Sequence, residues 1–348
     1  MTLRMRALWA KELKVRLGKE RYRTFVRING CEAKAVDIGK GSYNRNYVAD
    51  PFLFRYNDTN WLFYETLNKD GKGVLGCLKQ LESGEWKQVG IVLERPWHLS
   101  YPQVFEEDGH IYMIPESCDS TRGYKEGSIT LYEAHKFPYG WREVKKLIPE
   151  PLADSTLFKK DGHYYLSCLK MSPDCKAELW NAPALTGPWT KHPQSDNTNQ
   201  SRRLRRNGGS FQTIDGQLYR IAQDCNGDYG KRLFKVPILD LSPTEYQEGG
   251  ASLLLDSNWP TGGIRHTYNK LETAQDKIEV IDLKDYVAYP LPTRIALMLR
   301  IFLHTLFRIS IKKKRGVLFQ LFGVQFLCGT PKERPALMQI RIGRRHHR

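Results

Sequence analysis

Long apolar runs are what this sequence most lacks. No segment reaches the roughly 18 uncharged apolar residues that a membrane span requires. The N-terminal stretch MTLRMRALWAKELKVRLGK is interrupted by a charge every few residues and does not read as a signal peptide. Cysteine is scarce and unpaired in pattern. The seven residues Cys31, Cys77, Cys118, Cys168, Cys175, Cys225 and Cys328 form an odd set without a Cys-x-x-Cys pair, which argues against a disulfide framework or a zinc site and makes reducing cytosol the expected compartment. No Asp-x-Asp metal signature is found either, and the two histidines of the terminal IGRRHHR, a stretch expected to be disordered, do not make a metal site.

What is present is a globular composition over 348 residues, with 41% hydrophobic residues, 18 Tyr, 14 Phe, 8 Trp and 28 Gly, as suits short strands joined by tight turns. The net charge of +16 is uneven. Residues 1–28 hold nine Lys/Arg against two acids, residues 284–348 hold fourteen against two, and the middle holds 31 against 34. A nucleic-acid enzyme carries its basic surface on the folded core; here the core is slightly acidic, so no nucleic acid is expected. Basic ends on a near-neutral body fit an anionic membrane surface.

The middle repeats. DPFLFRYNDTNWLFYE from Asp50, YPQVFEEDGHIYMIPE from Tyr101, DSTLFKKDGHYYLSCL from Asp154 and NGGSFQTIDGQLYRIAQ from Asn207 are four copies of one unit, and the Asp-Gly pairs starting at 108, 161 and 215 lie 53 and 54 residues apart. Each copy is an alternating strand, a two-residue hairpin signal and a second strand. Two further strands follow, the last bearing Trp, as in GEWKQVGIVL and YGWREVKKLI. Four strands in about fifty residues is one propeller blade. A fifth, shortened unit begins at GGIRHTYNKLE and runs through DKIEVIDL, and TFVRINGCEAKAVDI near the N-terminus can supply its missing strands. The expected fold is all-β: a five-bladed β-propeller over 24–283, preceded by a basic segment, 1–23, and followed by a basic, helical tail, 284–348.

In such a ring the first strand of each blade lines the central channel, so Asp50, Tyr101, Asp154 and Asn207 are expected at one mouth. The second strands return Glu65, Glu116, Leu169 and Gln223 with Asp224 to the same end, and His266 comes from the fifth blade. Each taken alone is as well explained as a strand-start cap or a hydrogen-bonded core residue; their convergence is what makes a site.

The segments ADPFLF, HLSYPQVFEEDGHIYMIPES, FPYGW, DSTLF, APALTGPWTKHP, LYRIAQDC and RHTYN resemble the propeller found at the N-terminus of plant glucosamine inositolphosphorylceramide transferases and in bacterial relatives. That domain is distantly similar to five-bladed glycoside hydrolases of arabinanase and xylosidase type. In those hydrolases an aspartate opening the first blade is general base, another opening the third blade orients and tunes, and a glutamate in the fourth is general acid. The resemblance thus implies Asp50 as base and Asp154 as the orienting acid. Where the acid should stand this sequence has Asn207 and Gly208, so the hydrolytic set is incomplete unless Glu116 substitutes.

Arg202, Arg203, Arg205 and Arg206 precede that gap. Guanidinium forks suit phosphate oxygens, so the run is expected to bind a donor phosphate, although a solvated basic loop has the same composition. The expected activity is glycosyl transfer from a nucleotide sugar or lipid-phosphate sugar to a glycan or glycolipid. Asp50, Asp154 and Glu116 are the catalytic candidates; Tyr101, His98, the four arginines, Asn207, Gln223, Asp224 and His266 are the binding candidates. Tyr101 and Trp97 are expected as sugar-stacking surfaces. No cofactor is expected, with an ion near His266 left open. A glycoside hydrolase or phosphorylase and a non-catalytic glycan-binding propeller are the alternatives.

TRIALMLRIFLHTLFRISIKKKRG is helical in period, and GVLFQLFGVQFLCG could form a helical hairpin. With the basic N-terminal segment, also readable as an amphipathic helix, these ends are expected to hold the chain peripherally on the cytoplasmic face of the inner membrane.

Overall fold

The computed structural model describes residues 18–39, 44, 46–117, 126–171, 175–198, 203–225, 230–255, 258–260, 263–312, 316–321, 324–328 and 339–342, with the backbone alone from 300 onward. It contains two compact units, one of Arg21–Asp285 and one of Met1–Glu20 with Tyr286–Arg348.

The larger unit is a five-bladed β-propeller. Blades 1 to 3 are four-stranded antiparallel sheets built from consecutive strands: Ala49–Tyr56, Thr59–Leu67, Gly73–Gln80 and Trp86–Leu93; Ser100–Glu107, His110–Glu116, Ile129–Lys136 and Tyr139–Ile148; Leu152–Lys160, His163–Lys170, Lys176–Ala182 and Thr190–Lys191. Blade 4 has a broken inner strand, Arg206–Asn207 and Gln212–Ile214, both paired to Gln217–Gln223, followed by Leu233–Leu241 and Tyr246–Glu248. Blade 5 closes the ring with both ends of the unit. Its inner strands are Tyr268–Glu272 and Lys277–Ala288, its outer strands Gly18–Ile28 and Lys34–Ala35.

The hairpins follow from their turn residues. Asp108–Gly109, Asp161–Gly162 and Asp215–Gly216 all take positive φ, between 50° and 78°, as a two-residue turn matched to strand twist requires. Asn57 and Asp58 make the same turn in blade 1 without glycine. Facing blades bury one apolar cluster at each junction: Phe63, Leu75, Met113 and Trp141 between blades 1 and 2; Ile114, Leu131, Leu157 and Leu166 between 2 and 3; Tyr165, Leu179, Ile238 and Tyr246 between 3 and 4; Ile221, Leu233, Tyr268 and Phe25 between 4 and 5; Val26, Val280, Leu62 and Tyr64 between 5 and 1. Each fully buried side chain contributes about 1.5–3 kcal/mol, so every one of the five seams helps to hold the ring, the largest being that between blades 1 and 2.

The smaller unit corrects one expectation. A helix, α1, spans Leu291–Leu306 and stops there. The residues after it form a four-stranded antiparallel sheet of Phe307–Lys312, Gly316–Leu321, Val324–Cys328 and Gln339–Ile342, so neither the longer helix nor the helical hairpin exists. In FRISIK the apolar Phe307, Ile309 and Ile311 alternate with polar residues, which is the period of a strand. Residues 18–23, expected to close a basic N-terminal helix ahead of the ring, instead begin its strand Gly18–Ile28; the rest of that proposed helix, Lys313–Arg315 and the IGRRHHR end beyond Ile342 lie outside the described residues.

Candidate active site

Three blades aim a side chain into the mouth by the same backbone device. In the inner hairpins the register runs Ala49↔Glu65 then Phe52↔Phe63, Ser100↔Glu116 then Gln103↔Ile114, and Ala153↔Leu169 then Thr156↔Ser167. Each gains one residue, a β-bulge. The bulged residues Asp50, Tyr101 and Asp154 have φ of 48°, 50° and 47°, a left-handed conformation uncommon for residues with a side chain. In blade 4 the same register point is Arg206↔Gln223 and Asn207↔Ala222, so Arg206 stands where the other blades have Ala49, Ser100 and Ala153.

On the blade 5 and blade 1 side, Asp50 Oδ1 accepts a hydrogen bond from Thr267 Oγ1 at 2.7 Å and lies 3.6 Å from His266 Nδ1. Behind them is Asp282, a residue the sequence reading passed over as part of an apolar strand. Its carboxylate accepts from the backbone N–H of Asp50 (3.0 Å), His266 (3.1 Å) and Thr267 (2.9 Å), and it pairs with His266 Nδ1 at 2.6 Å. One fully buried carboxylate therefore fixes the backbone of the base candidate and the ring of its neighbour. Burial disfavours a charged His266, but Asp282 overcomes this and lifts the imidazole to about 9. Burial also lifts Asp50, to about 7, against the opposing pull of the His266 cation.

Across the mouth, Asp154 pairs with Arg206 through Nε and, at 3.2 Å, through Nη2. Glu116 accepts from the Asp154 backbone N–H at 2.7 Å. Burial first, then the charge of Asp154, raises its carboxyl to about 8, with Arg206 pulling the other way. Glu116 thus holds its proton at neutral pH. The charge of Asp154 acts on Asp50 and that of Asp50 on Glu116, so the three acids share one neighbourhood. A third pair completes the rim: His98 Nδ1 accepts from the Gly73 N–H at 2.9 Å, and its Nε2 faces Glu65 Oε1 at 3.1 Å. Burial works against protonation of His98, yet Glu65 turns the net shift upward. A Cβ on residue 73 would meet the His98 ring at 2.7 Å and the Leu99 carbonyl oxygen at 2.3 Å, so glycine is needed there.

The pattern is two cation–carboxylate pairs, Arg206–Asp154 and His266–Asp282, and a hydrogen-bonded pair, His98–Glu65, in which an imidazole accepting at Nδ1 is neutral and donates through Nε2, with Asp50 and Glu116 between them as carboxyls without a dedicated cation. Such a pair of acids, moved toward neutrality in one buried cluster, has the electrostatics for exchanging protons with a substrate.

Several candidates have other roles. Tyr101 is fully buried; its hydroxyl bonds Thr156 Oγ1 at 3.0 Å and receives the Gly209 N–H at 2.7 Å, so its ring offers no face to a sugar and instead ties blade 2 to blades 3 and 4. Trp97 is 41% exposed. Asn207 is buried and spends its amide on Asp154 O and on Ser167; it is a strut between blades 3 and 4. Gln223 donates to Asn207 O at 2.6 Å, and its buried Oε1 meets no protein donor among the described residues. Asp224 holds Arg203 at 2.8 Å, and Arg205 bonds Cys175 O at 2.8 Å. Of the arginine run Arg206 pairs with Asp154, whereas Arg203 and Arg205 bond Asp224 and Cys175 O; Arg202 lies outside the described residues.

Asp50, His266 and Asp282 offer atoms within 4.8 Å of one another that could hold a metal ion. With Asp282 already accepting four donors and His266 Nδ1 among them, the cluster is built as a hydrogen-bonded network; holding a cation would require that proton to leave. A separate polar cavity of about 330 Å³ lies at the outer edges of blades 3 and 4, lined in part by Gln194, Asn197, Asp240 and Glu245, away from these acids.

Residues 30–289 match the family described as Glucosamine inositolphosphorylceramide transferase 1, N-terminal. The chain belongs to that family. It is 38% identical over 217 residues to Glucosamine inositolphosphorylceramide transferase 1 of Oryza sativa subsp. japonica, covering 60% of this chain and 28% of that protein. The Arabidopsis thaliana protein of the same name is 37% identical over 211 residues, 58% of this chain and 27% of its own. The chain therefore spans little more than a quarter of these relatives. Among solved structures, a thermostable family-43 glycoside hydrolase superposes with a TM-score of 0.54 at 13% identity, over 69% of this chain and 88% of its own, a likeness of fold.

Proposed function

We propose that this family member is a carbohydrate-active enzyme that transfers a glycosyl group to a hydroxyl acceptor in the synthesis of a cell-surface polysaccharide or glycolipid. The observation that carries the reading is the Asp50 carboxyl. One of its oxygens is held by Thr267, its backbone is held by Asp282, and burial brings it to about 7, the range in which a carboxylate works as a general base near neutral pH. Asp50 removes the acceptor hydroxyl proton as the new C–O bond forms and the bond from the anomeric carbon to the donor oxygen breaks. Asp154, oriented by Arg206, accepts hydrogen bonds from sugar hydroxyls. A donor that leaves as a phosphate departs with its negative charge beside Arg206; a nucleotide sugar or lipid-phosphate sugar has this chemistry. The transferase named for the family supports the reading, as a property of relatives far longer than this chain.

Glu116 favours a second reading. A carboxyl that keeps its proton to about pH 8 can protonate the oxygen of a neutral leaving group, as a glycoside hydrolase or phosphorylase requires. The decisive experiment incubates the chain with nucleotide sugars and separately with aryl glycosides. Turnover of the former that survives Glu116→Gln and vanishes in Asp50→Asn supports transfer. Glycoside cleavage lost in both variants supports hydrolysis. Retention of sugars without turnover identifies a binding propeller, and full activity in Asp50→Asn removes the site assignment.

A further inference from the structure

The acids of the mouth leave the C-terminal helix unexplained. On α1 the side chains of Leu291, Ile295, Met298 and Leu299 are 63%, 58%, 49% and 59% exposed. At about 100° per residue these four fall in one stripe roughly 100° wide. Single exposed leucines are ordinary, whereas four large apolar side chains on one stripe form a patch that water solvates poorly.

Charge decides what covers it. The first turn of the helix carries no acid, and residues 284–348 hold fourteen basic residues against two acids. A second copy would bring the same positive charge to the interface, and like charges oppose such pairing. At 16 residues the helix is too short to cross a bilayer, and no helix among the described residues meets that requirement. An apolar stripe within a basic segment is the pattern of a helix lying in a membrane interface.

We propose that α1 docks on an anionic bilayer surface, such as a cytoplasmic leaflet, with Leu291, Ile295, Met298 and Leu299 entering the boundary between headgroups and acyl chains and the basic residues of the segment attracted to lipid phosphates. The apolar stripe supplies depth; the charge supplies selectivity for anionic lipid. The inference stands apart from the proposed chemistry, since a propeller that only binds glycans would dock in the same way.

The test is co-sedimentation of the full chain with vesicles of phosphatidylcholine containing roughly one-quarter phosphatidylglycerol, against phosphatidylcholine alone. Binding to the anionic vesicles at least tenfold tighter, and largely lost between about 50 and about 500 mM salt, is expected. Leu291→Glu with Ile295→Glu and Leu299→Glu should reduce that binding by a further tenfold or more. As a reporter that leaves the stripe apolar, Met298→Trp should add fluorescence that shifts to the blue only with anionic vesicles, read as the difference from the parent chain. Equal binding to both vesicle types, undiminished binding by the triple variant, or an unshifted difference signal from the Met298→Trp variant would each overturn the proposal. So would a dimer that the triple variant dissociates while vesicles capture nothing, which would assign the stripe to a second copy.

Discussion

The two sides of the mouth solve the same problem differently. Asp50 and Asp154 occupy equivalent bulges with nearly identical φ, yet their electrostatic surroundings diverge. Asp154 has its own guanidinium in Arg206. Asp50 has a cation 3.6 Å away, but His266 is turned toward Asp282 at 2.6 Å. The slot determines where a carboxylate sits; the adjacent blade determines what it can do. Asp154 is paired with a guanidinium, whereas Asp50, raised to about 7, is poised between charged and neutral, the condition that suits proton transfer.

The largest effect should come from exchanging that difference. Asp50→Asn should lower turnover by about a thousandfold or more with the fold intact, whereas Asp154→Asn should act mainly on substrate affinity. Steady-state kinetics with circular dichroism as a control separates them, and equal loss of kcat in both would erase the distinction drawn here.

Removing a cation should damage the second side more than the first. Arg206→Met strands the buried Asp154 charge, a loss of about 3–5 kcal/mol measurable by denaturant unfolding. It also removes a charge that restrains Glu116, so the Glu116 carboxyl should titrate still higher. Asp282→Asn keeps the residue's shape but removes the anion that protonates His266. Its imidazole should then titrate well below 9, Asp50 should rise above 7 because the lost pull of the His266 charge outweighs the lost, smaller push of Asp282, and the acidic limb of the activity profile should move upward with it. An unmoved limb would show that Asp282 is merely structural.

Glu116→Gln tests the neutral acid directly. A side chain already uncharged at pH 7 loses little stability when replaced by an amide that still accepts the Asp154 N–H, about 1 kcal/mol or less. If both acids act in proton transfer, activity needs Asp50 ionised and Glu116 protonated. The wild-type profile should then be a narrow bell between about 7 and about 8 whose limbs belong to the coupled pair, and Glu116→Gln, which cannot donate a proton, should leave only residual activity without the alkaline limb.

Stability carries the same signature. Asp50, Glu116 and His266 all have folded-state values above their ordinary ones. Each therefore favours the fold most at pH below its ordinary value and loses that contribution as pH rises through the shifted one. Thermal unfolding should fall from pH 6 to pH 9, and fall less in Glu116→Gln. The smallest effect is expected for Arg205→Ala, which removes an exposed contact to Cys175 O and should leave activity and unfolding nearly unchanged.

The ring was legible because its punctuation is local. Asp-Gly pairs at near-constant spacing specify hairpins, and hairpins at that spacing specify blades. The alignment that follows places Asp50, Tyr101, Asp154 and Asn207 at one register point, and Asp50 and Asp154 do meet Glu116 and His266 there. What the alignment could not carry was the partner of each residue. Tyr101 and Asn207 reach the same place but spend their polar atoms on neighbouring blades. Asp282 hides in an apolar strand, where a buried acid was the overlooked signal. The arginine run is split because Asp224 and Cys175 draw aside Arg203 and Arg205. In the tail, short apolar runs fit helix and strand alike, and the alternation of FRISIK settled the matter in favour of a sheet.

Closure of the ring by its two ends has a temporal consequence. Asp50 is made early, but Thr267 and Asp282, which hold it, belong to the last strands of the circle. During synthesis from the ribosome, the first four blades emerge carrying the Asp50 carboxyl before its Thr267 and Asp282 partners exist. The proposed proton transfer therefore waits on the stitch between the earliest strand and the latest, and a chain halted before Asp282 should be inert whatever else it has folded.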